Sequence, residues 1–282
     1  MGDPRVDGED SSSSSPSNRV RELYDRAAPL YEKIFLRSSE YYRHLYNELM
    51  ITFNEYFDNA KIRSRVLDLG SGTGIWSALL RRRGYHVVSF DISFNSLLKC
   101  VRVRCDHPVQ GDAVKLPFRD GYFDAVLAYG SVFNHIIKAE DAFREASRVL
   151  ARGGYLIFDF DNLICPDMVF ETMLGGVSPR GFIRGLVNGK GHVGYWYADG
   201  EAIPFRFFTF KEIKELLGRF GFSIVESRGV HVVSNIIPSR LHQWGGMVIG
   251  RFARRLYGFD RLLGSSPIKY VSTTILIVSR KG

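Results

Sequence analysis

The feature that most constrains this chain is the run from Val66 to Gly74, which reads VLDLGSGTG. It is typical of a buried strand that ends close to a carboxylate, Asp68, and turns through three glycines into a helix. Glycine is needed where the backbone adopts a positive φ or passes close to a ligand. Such a turn also directs free backbone N–H groups and a helix N-terminus at whatever lies above it. The run therefore predicts a ligand-binding turn between a strand and a helix.

The spacing of the glycines narrows the class of ligand. Gly70, Gly72 and Gly74 form a G-x-G-x-G pattern. This differs from the G-x-G-x-x-G of dinucleotide folds and from the G-x-x-x-x-G-K-[ST] of phosphate-binding loops. A nicotinamide dehydrogenase is therefore disfavoured. Because no lysine follows the turn, a nucleoside triphosphate is not expected either.

Two further aspartates follow predicted strands. Asp91 ends the run His86–Phe90, and Asp112 follows a short strand near Val109. An acidic residue about 20 residues beyond the glycines is placed to accept hydrogen bonds from ribose hydroxyls. Each aspartate taken alone is an ordinary capping or loop residue. Together with Asp68 they surround the site with negative charge, which suits a cationic ligand that carries a sugar.

These features resemble the class I S-adenosylmethionine-dependent methyltransferases, and most closely their quinone-biosynthesis-like subfamily of small-molecule enzymes. The resemblance covers residues 66–160 and includes LPF at 116–118, YFDAV at 122–126 and RVLARGG at 148–154. Arg152 departs from the family, which usually has a proline in this surface turn. The resemblance implies a doubly wound α/β fold with a seven-stranded, mostly parallel sheet, a helical N-terminal lid, and insertions after strands 5 and 6.

The resemblance also implies which residues bind S-adenosyl-L-methionine. The Gly70–Gly74 turn and Asp68 are expected at its methionine end, Asp91 at the ribose and Asp112 at the adenine amino group. Ser131, after the fourth strand, is expected to line the face of methyl transfer. The complete expected set is Asp68, Gly70, Ser71, Gly72, Thr73, Gly74, Asp91, Ile92, Asp112, Ala113, Tyr129, Ser131, Tyr24 and Tyr31.

The N-terminal lid is expected to consist of two helices, at about Arg19–Leu36 and Glu40–Phe57. Aromatic residues recur through both at helical spacing, which usually marks a packing face. In the family this segment closes over the cofactor. Tyr24 and Tyr31 share one helix face, so either is expected to touch the cofactor or the acceptor.

Methyltransferases of this class need no catalytic residue common to all members, because the cofactor's methyl group is already activated. Methyl transfer from a sulfonium is an in-line displacement, so the protein supplies positioning, exclusion of water and sometimes a base. The run from Tyr129 to His135 leaves the fourth strand where acceptors meet the methyl group. His135 is the candidate base, because its ordinary pKa lies near neutrality. The alternative is that His135 caps or packs the following helix.

The remaining sequence divides into a tail and one domain. Residues 1–18 are Ser-rich and acidic and match neither a signal peptide nor a myristoylation pattern, so they are predicted to be disordered. Residues 19–282 are predicted to form a single methyltransferase domain. Its insertions are expected at 163–208 and 235–269, the first with two antiparallel strands.

Composition adds expectations about cofactors and compartment. The three cysteines form no paired framework, so reduced thiols and a cytoplasmic location are expected. The seven histidines show no metal-ligand spacing, so no metal is expected. No apolar stretch reaches the roughly 18 residues of a membrane-spanning helix.

Positive charge raises the question of partners. The formal net charge is +8, and Leu241–Leu263 alternates apolar residues with arginines in a basic amphipathic pattern. One interpretation is a lid helix that packs its apolar face over the site. The other is a lid that also contacts an anionic membrane, where a lipophilic acceptor would be found.

The sequence thus predicts methyl transfer to a small, hydrophobic or aromatic acceptor, with an isoprenoid quinol precursor as the leading candidate. Two alternatives stay open. The basic surface is compatible with an RNA methyltransferase, although the fourth strand lacks the tetrapeptide that grips a flipped base. An intact cofactor site is also compatible with a non-catalytic, S-adenosylmethionine-binding regulatory protein. The sequence does not indicate an oligomeric state.

Overall fold

The computed structural model describes residues 15–29, 31, 40–58, 62–173, 177–198, 201–239, 241 and 246–282. The strands of the main sheet are β1 (Arg65–Leu69), β2 (His86–Asp91), β3 (Pro108–Gln110), β4 (Phe123–Ala128), β5 (Leu150–Asp161), β8 (Phe222–Val230) and β9 (Thr274–Lys281). A separate pair consists of β6 (His192–Ala198) and β7 (Glu201–Phe207). The α-helices are α1 (Pro16–Ala27), α2 (Glu40–Phe57), α3 (Ile75–Arg82), α4 (Phe94–Arg102), α5 (Ala139–Val149), α6 (Pro166–Met173), α7 (Pro179–Asn188), α8 (Phe210–Arg219) and α9 (Gly246–Leu263).

The main sheet has seven strands in the order β3-β2-β1-β4-β5-β9-β8. The first five strands in this order pair in parallel, and β9 pairs antiparallel with both β5 and β8. The predicted seven-stranded, mostly parallel α/β sheet is confirmed. Because β9 runs against β5, the start of β9 lies beside the end of β5, and Thr274 is the register partner of Asp161.

The central strands are apolar because both faces of the sheet are covered. All six residues of β4 are buried. Val126 and Ala128 face the cluster that includes α5 and α8, whereas Ala125 and Leu127 face the cluster that includes α2 and α3. This alternation follows from the two-residue period of a strand. It leaves the carboxyl ends of β1, β2, β4 and β5 at one common edge.

The first helix of the N-terminal lid begins and ends earlier than predicted, whereas the second has the predicted bounds, Glu40–Phe57. Helix α1 starts at Pro16, where the Ser15 side chain accepts from the backbone N–H of Asn18. Residues 16–18 are therefore helical and not part of the predicted disordered tail. The helix ends at Ala27, not near Leu36. Residues 1–14 and 32–39 lie outside the described part of the chain, so the rest of both predictions concerns residues that the structure does not describe.

The cysteine prediction is wrong for two of the three residues. Cys100 and Cys105 form a disulfide, while Cys165 is a buried free thiol. The two sulfurs meet because α4 ends at Arg102 and the chain turns back immediately afterwards. They lie directly behind the glycine turn: a Cβ added at Gly74 would lie 2.2 Å from the Cys105 sulfur. Together with its φ of +90°, this close approach explains why position 74 requires glycine.

Helix α9 exposes apolar side chains that a purely packing helix would bury. Phe252 and Phe259 are 53% and 59% exposed. Among the residues of α9 whose burial is described, 249–263, the buried ones are Gly250, Ala253 and Asp260. The helix packs against α2 and β8. No helix in the described part of the chain is long and apolar enough to cross a membrane.

A buried polar cluster joins α9 to α2 and to the end of β8. His44, His231 and Asp260 offer ligand atoms that all lie within 4.8 Å of one another, although spacing along the chain predicted no such cluster. Ligands of a tetrahedral zinc ion at about 2.1 Å would lie only about 3.4 Å apart. Asp260 instead accepts from the backbone N–H groups of Val233 and Ser234 and from the Ser234 hydroxyl. We interpret the cluster as a structural clasp, meaning a set of buried hydrogen bonds that fixes α9 to the segment after β8.

Replacing Asp260 by Asn should lower the free energy of unfolding by about 1–2 kcal/mol. The amide nitrogen of Asn cannot accept a hydrogen bond, so at least one of three buried donors loses its acceptor. Urea unfolding measures the change. Asp141→Asn is the matched control, because Asp141 pairs with Arg144 on the surface. Equal unfolding midpoints for the two variants would contradict the clasp.

Candidate active site

Two adjoining cavities lie at the carboxyl edge of the parallel strands. The smaller, which we call the glycine-turn cavity, has a volume of about 100 Å³. Of the residues predicted to bind the cofactor, nine line it: Gly70, Gly72, Asp91, Ile92, Asp112, Ala113, Tyr129, Tyr24 and Tyr31. Helix α1 forms its outer wall through Ser17, Val20 and Tyr24, which share one helix face.

The glycine turn is tied to the neighbouring strand β2. The N–H groups of Gly70 and Ser71 both donate to the carbonyl of Phe90, at 2.8 and 3.0 Å. Gly70 has a φ of +71°, and a Cβ added there would lie 2.5 Å from a methyl carbon of Val132. The turn is therefore preorganised by glycine and by its backbone hydrogen bonds.

Asp91 connects this turn to the N-terminus of α4. Its Oδ2 accepts from Gly72 N at 2.8 Å and its Oδ1 from Ser93 N at 2.8 Å. Burial raises the pKa of Asp91 to about 6, although these hydrogen bonds oppose the rise. Asp25 from α1 approaches the same helix end, where it accepts from the Ser93 hydroxyl and Asn95 N. Sequence reasoning missed Asp25, because its partners lie about 70 residues further along the chain.

Asp112 also lines the glycine-turn cavity. It is partly exposed, and its Oδ1 accepts from Val114 N at 3.2 Å. A carboxylate in the wall of this cavity can accept from an amino group of a ligand. This geometry is compatible with the predicted contact to the adenine amine.

Replacing Asp112 by Ala should weaken S-adenosylmethionine binding about tenfold, because one charge-assisted hydrogen bond is lost. An inosine-type analogue lacks the amino donor, so it should bind wild type and Asp112→Ala equally. Calorimetry with both ligands checks this. If wild type binds the analogue as tightly as the natural cofactor, the assignment of Asp112 is wrong.

The remaining predicted cofactor residues do not line the glycine-turn cavity. Asp68 is 1% exposed and accepts from the Ser77 hydroxyl, which also contacts Ser89. Burial raises the pKa of Asp68 to about 7. Asp68 therefore connects α3 to β1 and β2, and its contact with the methionine end stays a prediction. Three other residues belong to the turn without lining either cavity: Ser71, Thr73 and Gly74.

The larger cavity, which we call the tyrosine cavity, has a volume of about 270 Å³. Six tyrosines line it: Tyr24, Tyr31, Tyr41, Tyr42, Tyr46 and Tyr195. Four residues line both cavities: Tyr24, Tyr31, Gly130 and His135. The two compartments therefore meet at these residues, which is where a group passing from one ligand to the other would lie. No described residue of α9 lines either cavity, whereas Ser239, from the same insertion, lines the tyrosine cavity. The lid interpretation of Leu241–Leu263 stays a prediction.

His135 lies at this junction, in a 3-10 turn formed by Val132–His135. Its Nε2 is 2.9 Å from the Tyr24 hydroxyl, and its ring packs edge-on against Phe205. Burial lowers the pKa of His135 to about 4. The imidazole is therefore neutral near pH 7 but only weakly basic. His135 lines both cavities, and its role as a base stays a prediction that the lowered pKa disfavours.

A pair of aspartates at the end of β5 was missed by sequence reasoning. Asp159 accepts from Gly130 N and Ser131 N, and the Ser131 hydroxyl lies 3.2 Å from both Asp159 and Asp161. Asp161 also accepts from the Thr274 hydroxyl at 3.1 Å. Burial raises the pKa of Asp159 to about 6, and burial together with the nearby Asp159 raises that of Asp161 to about 7.

The Asp159 contacts hold an unusual turn after β4. Gly130 and Ser131 both have positive φ, +96° and +55°. Such a conformation is unfavourable for a serine and persists when surrounding contacts determine it. Here two backbone N–H groups bonded to one carboxylate provide those contacts. The turn places Ser131 in the wall of the tyrosine cavity instead of the glycine-turn cavity.

Comparison with known proteins agrees with this arrangement. Residues 67–158 match a family described as a methyltransferase domain. An uncharacterised protein of Methanocaldococcus jannaschii is 28% identical over 227 residues, which cover 79% of this chain and 84% of that protein. A demethylmenaquinone methyltransferase of Thermus thermophilus is 32% identical over 177 residues, covering 58% of this chain and 76% of the enzyme.

A solved structure shows the same fold across nearly the whole chain. The [4+2]-cyclase SpnF superposes with a TM-score of 0.61 at 18% identity, covering 94% of this chain and 96% of that one. The glycine-turn cavity fits S-adenosyl-L-methionine, since its carboxylates suit a sugar-bearing cation and its turn leaves room for close approach. We conclude that the chain is an S-adenosyl-L-methionine-dependent enzyme that belongs to the class I methyltransferases of the quinone-biosynthesis-like type.

Proposed function

We propose that the protein transfers the methyl group of S-adenosylmethionine to a small acceptor bound in the tyrosine cavity. The observation that supports this most directly is the junction of the two cavities at Tyr24, Tyr31, Gly130 and His135. A donor bound on one side and an acceptor bound on the other would meet there. Aromatic walls suit an acceptor with an apolar or aromatic body.

The residues of the chain contribute positioning and exclusion of water. The bound cofactor supplies an already activated methyl group. Asp91 and Asp112 hold the two ends of the nucleoside, and the glycine turn admits it close to the backbone. Helix α1 places Tyr24 over the junction, which keeps solvent away from the reacting atoms.

The name of one relative supports the quinol candidate that the sequence suggested. The Thermus thermophilus relative is a demethylmenaquinone methyltransferase, which favours an isoprenoid quinol precursor. The exposed face of α9 supports a lipophilic acceptor in a different way. It carries Phe252, Phe259 and Leu262 beside Arg251 and Arg255, all exposed, and this combination suits an anionic membrane surface.

Incubation with methyl-labelled S-adenosylmethionine tests the proposal. The purified protein is mixed separately with lipid, small-metabolite and RNA extracts, and Asp91→Ala serves as the cofactor-site control. We expect label in the lipid or small-metabolite fraction, lost in the variant. Label in RNA would support the alternative RNA methyltransferase. Label in no fraction, despite cofactor binding by calorimetry, would contradict methyl transfer and support a binding protein.

A further inference from the structure

We propose that the acceptor's reacting atom is an amine nitrogen, which the tyrosine cavity binds as an ammonium group against Asp161. The inference rests on the proposed methyl transfer and narrows its acceptor class to amines in place of quinols. It depends on three properties of the cavity: the position of Asp161, the aromatic walls, and the sign of the charge around the reacting atom.

The carboxylate of Asp161 has one side committed to the protein and one side open to a ligand. Its two hydrogen bonds within the described residues, from Ser131 and Thr274, both end on Oδ1. Asp161 lines the cavity, and neither of these hydroxyls uses Oδ2, so we assign Oδ2 to the ligand. Both partners are neutral hydroxyls, so a bound cation would supply the positive charge that they do not.

The walls around this carboxylate suit a cation. Tyr24, Tyr41 and Tyr195 reach the cavity from α1, α2 and β6, so aromatic rings surround it on several sides. An ammonium group is attracted to the faces of such rings, and the attraction grows when water is excluded. No lysine or arginine is among the described residues that line the cavity. A carboxylate within an aromatic enclosure is a recognition site for an amine.

The same charges disfavour a quinol. Methylation of a quinol develops negative charge on the ring oxygens, and that charge would form in a cavity lined by Asp161, Asp167 and Glu171. Like charges at short range inside a protein repel strongly. The carboxylates attract an ammonium group instead. Their negative charge also offsets the repulsion between the ammonium and the sulfonium of the cofactor.

Asp161 also supplies the proton acceptor that an ammonium requires. The ammonium transfers one proton to Oδ2 of Asp161, and its freed lone pair forms the new N–C bond to the methyl carbon. The C–S bond breaks, its electron pair remains on sulfur, and the product amine keeps the positive charge. His135 is the weaker choice for this proton, because burial lowers its pKa to about 4 whereas that of Asp161 is raised to about 7.

A matched pair of ligands tests recognition without turnover. 2-Phenylethylamine and 2-phenylethanol differ only in the amino or hydroxyl group, and the amine is cationic at pH 7.5. We expect calorimetry, with the demethylated cofactor bound, to show the amine binding at least about tenfold more tightly. In Asp161→Asn this preference should disappear. Asp141→Asn makes the same charge change at an exposed site and should retain it.

A second pair of variants covers the case in which Asp161→Asn does not fold. Tyr195 is 48% exposed, so its replacement should leave the fold intact. Tyr195→Phe should keep the preference for the amine and Tyr195→Leu should reduce it, because only the leucine removes the aromatic face. Equal affinity for amine and alcohol in the wild-type protein, or binding of neither, would overturn the proposal.

Turnover of tyramine provides a separate test, because this one molecule carries both an amine and a phenol. We expect mass spectrometry to place the labelled methyl group on nitrogen. Label on oxygen or on the ring would overturn the amine proposal and leave methyl transfer itself intact. Failure to bind S-adenosylmethionine, measured in the same calorimeter, would instead contradict the cofactor site on which both proposals depend.

Discussion

Replacing Asp91 by Ala should weaken S-adenosylmethionine binding by about 1.5–3 kcal/mol, or roughly 10- to 150-fold. The substitution removes the carboxylate expected to accept from the ribose. It also frees Gly72 N and Ser93 N, which the carboxylate now holds at 2.8 Å each. Calorimetry measures the effect. Unchanged affinity would remove Asp91 from the site.

The pH dependence of binding adds a check on the same residue. Burial raises the pKa of Asp91 to about 6. The carboxylate is ionised above this value and neutral below it, so cofactor affinity should fall as the pH drops below about 6. Asp120→Ala, which alters a carboxylate that is 79% exposed, should leave both affinity and pH profile unchanged.

Changing Arg251, Arg254 and Arg255 to Gln should weaken binding to anionic vesicles by about 2–3 kcal/mol at low salt, more than thirtyfold. Each basic residue near such a surface contributes about 1 kcal/mol. Arg254 lies 3.7 Å from Glu40, which should reduce its share. Co-sedimentation with vesicles that contain anionic lipid measures the change, and raised salt should reduce binding of the wild type.

A control variant tests whether vesicle binding depends on the position of the arginines or only on the protein's net charge. Arg81, Arg144 and Arg219 also lie on the surface, each paired with a carboxylate. Changing these three to Gln removes the same charge elsewhere and should leave vesicle binding nearly intact. Cofactor affinity should survive in both triple variants. If the wild type binds no vesicles even at low ionic strength, the membrane interpretation of α9 is wrong.

The cofactor side of the site was predictable because its signals are local. Glycine spacing and a strand-end aspartate such as Asp91 depend on the few residues around them. The same holds for the order of the strands, which follows from connection rules once the family resemblance is clear. The disulfide was missed because a spacing of five residues between Cys100 and Cys105 carries no signal until the turn after α4 is known.

The acceptor side depends on contacts between distant segments. Strand β5 continues to Asp161, and this places Asp159 and Asp161 on one face of the strand. Their partners come from the turn at Ser131 and from Thr274 on the antiparallel neighbour. The exposure of Phe252 was not predictable from the sequence either. The pattern of basic and aromatic residues in this helix does not indicate which side packs against the sheet.

The wall shared by the two cavities has a thermodynamic consequence. Tyr24 and Tyr31 line both cavities. A ligand that orders these side chains in one cavity lowers the conformational entropy cost of binding in the other. Donor and acceptor affinities are then coupled. Linkage requires reciprocity: the factor by which bound donor tightens acceptor binding equals the factor by which bound acceptor tightens donor binding.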